Sequence, residues 1–152
     1  MKPVIDYSIY LVTDTVYFKD DSIYNKLEAA LIAGVTLLQY RDKSAETRIL
    51  YERALKVKAL CDKYRVPLII NDRADIAFAV KAAGVHLGQD DLPPLIARRM
   101  LGSDAAMFNA ILGPCDYMDV MAPDWKSAQM NIVMKDKEVN VLQLIVRGLE
   151  NL

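Results

Sequence analysis

Short apolar runs alternate with helical patterns along the first two thirds of the chain, and this alternation constrains the fold most strongly. The runs are rich in Leu, Ile and Val, which favour strands. The predicted strands are residues 9–12, 35–39, 68–71 and 85–87. The segments between them carry apolar residues at helical spacing. The predicted helices are residues 22–33, 47–64, 75–81 (capped by Asp75) and 93–101. Such βα repeats are typical of a parallel sheet covered by helices.

The length of these repeats predicts the architecture. Four βα units occupy about 102 residues, so eight would need roughly 205, the usual size of a (β/α)₈ barrel. The chain has only 152 residues. We therefore predict an α/β fold of the (β/α)₈ TIM-barrel type, with four recognisable units and a truncated or altered second half. Residues 1–102 form the first half, and residues 103–152 are a divergent tail that completes or covers the same domain.

The tail has a weaker pattern. Its predicted elements are a strand or helix at 105–112, strands at 117–121 and 131–134, a turn at 135–138 and a strand or helix at 139–149. A sheet of only four strands would leave the first and fourth strands as open edges. We expect either that the tail covers these edges or that the chain self-associates through one of them as a homo-oligomer.

Composition excludes several classes of protein. A formal net charge of −1 gives the chain no electrostatic reason to bind nucleic acid or an acidic membrane. No apolar run reaches the roughly 18 residues that a membrane-spanning helix needs. Residues 1–6 lack the pattern of a secretory signal, so we expect a cytoplasmic protein. Two cysteines and one histidine indicate neither a disulfide framework nor a zinc cluster.

Polar residues follow the second predicted strand, where ligands gather in parallel α/β sheets. Gln39, Arg41 and Lys43 share one face of an extended chain. An Arg fork beside a Lys point charge can hold a phosphate or a pyrophosphate. The alternative is a solvated loop that only introduces the next helix.

The third and fourth strands also end in polar residues. Asn71 and Asp72 follow the third strand, and Asp91 follows the fourth. Carboxylates at neighbouring strand ends can hold Mg²⁺ together with substrate phosphates. The alternatives are a turn residue at Asp72 and a helix cap at Asp91. His86 lies within a strand and is more often a core histidine than a ligand or base.

Four ordered motifs resemble the thiamine-phosphate synthase family, over about residues 8–104. They are YLVTD at 10–14, GVTLLQYRDK at 34–43, PLIINDR at 67–73 and GVHLGQDDLP at 84–93. The thiazole tautomerases are a sister family with the same barrel, but they generally lack the Gly-Gln-x-Asp sequence after the fourth strand. The motifs therefore favour a synthase.

The resemblance implies a (β/α)₈ barrel enzyme, a transferase of thiamine biosynthesis. It would couple hydroxymethylpyrimidine diphosphate with thiazole phosphate to give thiamine phosphate and pyrophosphate. Loss of pyrophosphate would leave a pyrimidinylmethyl cation, which the thiazole nitrogen captures. It implies no catalytic side chain, and assigns two sets of residues by position. These are Gln39, Arg41, Lys43 and Asn71 for the pyrimidine diphosphate, and Asp72 and Asp91 for Mg²⁺.

The sequence departs from the family pattern after Gly102. Phe108 stands where the family has glycine, and Ala110 where it has a ligand-binding serine. Few glycines remain to form phosphate-binding turns. The thiazole-phosphate half of the site is therefore expected to be missing, and coupling to be poor. The alternative function is a non-catalytic or impaired remnant that binds the pyrimidine diphosphate and Mg²⁺ without efficient turnover. A purely structural domain would leave the polar strand ends unexplained.

Overall fold

The structure is a computed structural model that describes residues 5–109 and 131–133. The strands are β1 (Tyr10–Val12), β2 (Leu37–Tyr40), β3 (Leu68–Asn71), β4 (Gly84–Leu87), β5 (Ala106–Asn109) and β6 (Asn131–Val133). The helices are α1 (Ser22–Ile32), α2 (Thr47–Tyr64), α3 (Ala74–Ala79) and α4 (Pro94–Leu101), with a 3₁₀ turn at Thr15–Tyr17. The strands form one parallel sheet in the order β5-β4-β3-β2-β1-β6. The predicted α/β fold with alternating strands and helices is confirmed.

Strand alternation separates the two faces of the sheet. Leu38, Tyr40 and Ile70 belong to the main core, which includes the buried sides of the helices. Leu37 and Ile69 instead form a small apolar cluster on the other face. Polar residues of β2 and β4 therefore share the second face, away from the helices.

Most of the periodic apolar residues form the buried helix faces, as the sequence predicts, but Ile49, which belongs to the predicted apolar face of α2, is 41% exposed. The buried residues of α1 are Ile23, Leu27, Ala30 and Leu31, and those of α2 are Leu50, Ala54, Val57 and Cys61. The bounds of α2 and β3 agree with the prediction. Gly34 follows α1 with φ of 110°, a backbone conformation that only glycine adopts readily.

The prediction for α3 is wrong at both ends. This helix begins at Ala74 and ends at Ala79, so Asp75 lies inside its first turn and is not the cap. The carboxylate of Asp75 instead pairs with Arg73, whose Nη2 lies 2.6 Å from Oδ2. Val80 is the C-cap of the helix, and Lys81 follows with φ of 54°.

Two tail strands cover the edges that the first four strands leave. β5 pairs with β4, and β6 pairs with β1. β1 and β4 therefore offer no free edge for association between chains, because both already have hydrogen-bonded partners. Self-association itself stays a prediction. A Cβ atom at Gly84 would lie 2.0 Å from the carbonyl oxygen of Ala106, so the absence of a side chain permits the close approach of β5.

Of the predicted tail elements, residues 106–109 and 131–133 are strands. The predictions for residues 117–121, 135–138 and 139–149 lie outside the described residues, as does Ala110. In the part of the chain that the structure describes, no helix combines the length and apolar character needed to cross a membrane.

Candidate functional site

The carboxyl ends of β2, β3 and β4 bring together most of the residues predicted for the site. Arg41 and Lys43 follow β2, Asn71 is the last residue of β3 and Asp72 comes next. Asp91 lies in the turn that follows β4. Because the strands are parallel neighbours, these side chains share one edge of the sheet.

Lys43, Asp72 and Asp91 form the centre of the cluster. The Nζ atom of Lys43 lies 3.4 Å from Oδ2 of Asp72. Burial raises the pKa of Asp72, the adjacent Asp91 carboxylate raises it further, and Lys43 partly opposes both effects. The two carboxylates are therefore close enough to repel each other, and one lysine does not fully compensate their charge.

Asp72 has a left-handed backbone conformation, with φ of 63°. Its amide donates to the carbonyl of His86 at 2.7 Å, which fixes the end of β3 against β4. Non-glycine residues adopt this conformation uncommonly, although Asp tolerates it better than most. The turn residue predicted at Asp72 is thus present, and its geometry holds the carboxylate beside the next strand.

Asp91 does not cap α4. Pro93 precedes that helix, and no side chain caps its first turn. Oδ2 of Asp91 instead accepts a hydrogen bond of 2.6 Å from the Gly88 amide. A Cβ atom at Gly88 would lie 3.0 Å from this oxygen, so the glycine leaves room for the carboxylate. The alternative interpretation of Asp91 as a helix cap is therefore wrong.

Arg41 is paired with a residue that the sequence reasoning missed. Its Nη1 atom lies 2.5 Å from Oδ2 of Asp14, just beyond the end of β1. Side chains of Thr13 and Thr15 also bond the backbone of Arg41 and Lys43. The signal in the sequence is the polar Thr-Asp-Thr run after β1, which matches the polar residues at the ends of the other three strands.

Gln39 is buried deeper than the other candidates and is only 2% exposed. Its amide nitrogen donates to the Tyr10 hydroxyl and lies 3.0 Å from Nδ1 of His86. Burial raises the pKa of Tyr10 to about 12 and lowers the pKa of His86. His86 is therefore a partly buried, hydrogen-bonded histidine on the face of the sheet away from the helices. The charges of Asp72, Asp91 and Lys43 also act on its pKa, so the Gln39–His86 pair lies within electrostatic range of the Lys43 cluster.

After β2, successive side chains alternate between the two faces of the extended chain, as the sequence predicts. Tyr40 and Asp42 point to the helix side, where the Asp42 carboxylate accepts bonds from the Tyr40 hydroxyl and from Nη1 of Arg53, at 3.3 and 2.6 Å. Arg41 and Lys43 point to the other side, toward Asp14 and Asp72. The contacts of Asp42 on the helix side therefore stabilise the segment that carries Arg41 and Lys43 on its other side.

The donor set suits Mg²⁺ better than a transition metal. In the described parts of the chain, no three His, Cys, Asp or Glu side chains are grouped closely enough to form a complete metal site. Mg²⁺ commonly binds through one or two carboxylates and completes its coordination with water and substrate phosphates. The mutual repulsion of Asp72 and Asp91 is the structural feature that fits such a cation.

Comparisons with known proteins agree with this geometry. Residues 9–107 match the family described as thiamine monophosphate synthase. The thiamine-phosphate synthase of Clostridium beijerinckii is 40% identical over 165 aligned positions, covering 97% of this chain and 79% of that protein. This alignment includes most of the residues after 109. The Ruminiclostridium cellulolyticum thiamine-phosphate synthase is 50% identical over 68% of this chain and 50% of its own length.

A solved structure is similar as well. The thiamine phosphate pyrophosphorylase from Pyrococcus furiosus superposes with a TM-score of 0.63 and is 26% identical. The match covers 74% of this chain and 55% of that one. The chain thus spans about half the length of most of these relatives, and its sheet has the TIM-barrel-type arrangement. Since the family match covers residues 9–107, this chain belongs to the thiamine monophosphate synthase family.

Proposed function

We propose that the chain is a thiamine-phosphate synthase. It would couple hydroxymethylpyrimidine diphosphate with thiazole phosphate, giving thiamine phosphate and pyrophosphate. The carbon–oxygen bond to the diphosphate breaks with its electron pair on oxygen, and the lone pair of the thiazole nitrogen forms the new carbon–nitrogen bond. The observation that carries the proposal is the approach of Lys43 to Asp72, whose carboxylate also interacts with Asp91, at the carboxyl edge of the sheet.

The residues have separate roles in this proposal. Arg41 and Lys43 bind the diphosphate and stabilise the charge that develops on the leaving pyrophosphate. Asn71, at the end of β3, contacts the same substrate. Gln39 lies deeper, so its amide faces the pyrimidine end of the ligand from the inner face of the sheet. Tyr10 and His86 hold that amide.

Mg²⁺ is the proposed cofactor, held by Asp72 and Asp91. When bound, it would neutralise charge on the diphosphate and so assist its departure. Among the charged side chains of this cluster, the carboxylates of Asp14, Asp72 and Asp91 outnumber the cations of Arg41 and Lys43. A polyanionic diphosphate should therefore bind weakly until a divalent cation reverses the local charge.

The remaining proposals concern the setting of the enzyme. We propose small-molecule substrates, since a formal charge of −1 offers little attraction for nucleic acid or acidic membranes. A cytoplasmic location is proposed as well. Residues 103–152 would complete the domain begun by residues 1–102, as the pairing of β5 and β6 supports. Self-association remains a prediction that light scattering can test.

The test is a paired assay of pyrophosphate release and thiamine phosphate formation by the full chain. The sequence after Gly102 predicts poor coupling, but a synthase that is 40% identical aligns with 97% of this chain, including most of that tail. We therefore expect both products to form at equal rates, and only when Mg²⁺ is present. Binding of the pyrimidine diphosphate without product formation, or pyrophosphate release that exceeds thiamine phosphate formation, would instead support the impaired remnant. Pyrophosphate release would exceed product formation in a remnant because the reactive cation is captured only when the second substrate lies within near-attack distance. Such positioning can lower the activation barrier by up to roughly 7–11 kcal/mol.

A further inference from the structure

We propose that Asp14 is a positioning residue that orients the Arg41 guanidinium for a diphosphate ligand, supported by Thr13 and Thr15. These three residues form the β1 end segment. The inference rests on the proposed function, because it deepens the role of Arg41 at the same site. The proposal is based on contacts between the β1 end segment and residues 41–43. These contacts lie beyond the last paired residues of β1 and β2.

Thr13 and Thr15 fix the backbone on which the two cations stand. The Thr13 hydroxyl accepts from the Arg41 amide at 2.8 Å and donates to the Arg41 carbonyl at 3.1 Å. The Thr15 hydroxyl accepts from the Lys43 amide at 2.7 Å. Regular β1–β2 pairing ends at Val12, so these hydroxyls take the place of backbone partners for the following residues.

Asp14 then fixes the direction of the Arg41 side chain. One carboxylate oxygen, Oδ1, accepts from the Val16 amide at 3.3 Å and caps the 3₁₀ turn. The other oxygen, Oδ2, accepts from Nη1 of Arg41 at 2.5 Å. A carboxylate can serve both donors at once, whereas an amide has only one acceptor atom. The guanidinium has five N–H donors, and within the described residues only Asp14 accepts from it, so the remaining donors can reach a phosphate group.

Asp14 also has an opposing effect, and the two effects can be separated. Its negative charge repels an anionic ligand directly, whether or not Arg41 is present. Its positioning effect acts only through Arg41. The loss of Asp14 should therefore weaken anion binding in the presence of Arg41 and fail to weaken it in the absence of Arg41.

The experiment is a double-mutant cycle on the full chain, with inorganic pyrophosphate and Mg²⁺ as the calorimetric probe. Asp14→Ser keeps a side-chain oxygen that can cap the turn but is too short to reach Arg41. We expect it to weaken pyrophosphate binding by roughly tenfold, as for the loss of a hydrogen bond to a charged group. In an Arg41→Ala background, the same substitution should leave the affinity unchanged or increase it. An equal effect in both backgrounds, or no weakening beside Arg41, would overturn the proposal.

Two controls separate positioning from a general loss of structure. Asp62→Asn removes a carboxylate that is paired with Lys58 on α2, outside the site, and should leave pyrophosphate affinity unchanged. Thermal melting of each variant checks folding, and Asp14→Asn replaces Asp14→Ser if the serine variant is unstable. Wild-type chain that forms no thiamine phosphate would remove the proposed function. A cycle without coupling would remove only the role of Asp14.

Discussion

The loss of Arg53 alone should destabilise the chain strongly, because Asp42 and Arg53 form the best-buried ion pair of the described residues. The Asp42 side chain is 0% exposed, and its partner Arg53 is 28% exposed. Besides Arg53 at 2.6 Å, the carboxylate has only longer contacts with the Tyr40 hydroxyl and the amides of Ser44 and Ala45, at 3.3–3.4 Å. Arg53 is therefore the main compensation for this buried charge.

Removing Arg53 is the informative perturbation. Arg53→Met keeps an apolar stem against the Phe18 ring, over which the guanidinium lies at 5.5 Å. It leaves the Asp42 carboxylate without its cation, and loss of one partner of a buried pair costs about 3–5 kcal/mol. Because Arg53 is partly exposed, water can reach this position, and we expect the lower limit of about 3 kcal/mol. Asp42→Asn should cost less, about 1–2 kcal/mol, since it leaves no buried charge unpaired.

Urea denaturation followed by circular dichroism measures these free energies of unfolding. The double variant Asp42→Asn/Arg53→Met should be more stable than Arg53→Met alone, because the buried charge is gone. The exposed Lys58–Asp62 pair is the matched control, and Asp62→Asn should cost at most about 0.5 kcal/mol. A loss below about 1 kcal/mol for Arg53→Met would refute the assignment of Arg53 as the essential partner.

Three further predictions concern the sheet, the metal site and the free thiol. Gly84→Ala should lower the free energy of unfolding, measured by urea denaturation, by more than about 3 kcal/mol. The new Cβ would lie 2.0 Å from the Ala106 carbonyl oxygen and would force β4 and β5 apart. A loss near 1 kcal/mol would contradict this close approach. Asp91→Asn can keep an acceptor for the Gly88 amide but loses the charge of Asp91. Calorimetry should therefore find that stability is retained and that Mg²⁺-dependent pyrophosphate binding is lost. If EDTA weakens pyrophosphate binding as much in this variant as in the wild type, Asp91 is not a ligand. Cys61 is fully buried and its pKa is raised to about 12, so iodoacetamide at mildly alkaline pH should label Cys61 only after unfolding. Peptide mass spectrometry that finds rapid labelling at Cys61 in the native chain would disprove this.

The sequence determined the repeating units of the fold, because each unit depends on local chemistry. Apolar spacing predicted the buried faces of α1 and α2. Leu68–Asn71 was predicted with its observed bounds because Pro67 precedes it and polar residues follow it. The grouping of Lys43, Asp72 and Asp91 also followed from sequence, since consecutive parallel strands place their carboxyl ends at one edge.

Only the tertiary structure decided the pairings between distant segments. The polar run around Asp14 places it at a strand end but does not specify Arg41 as its partner. Asp91 has the spacing of a helix cap, although it bonds Gly88 instead. The partners of β1 and β4 were equally undetermined, because edge pairing depends on backbone hydrogen bonds that any extended segment can offer. Local sequence fixes which elements form, whereas long-range contacts select their partners, since those contacts depend on atoms that only the folded chain brings together.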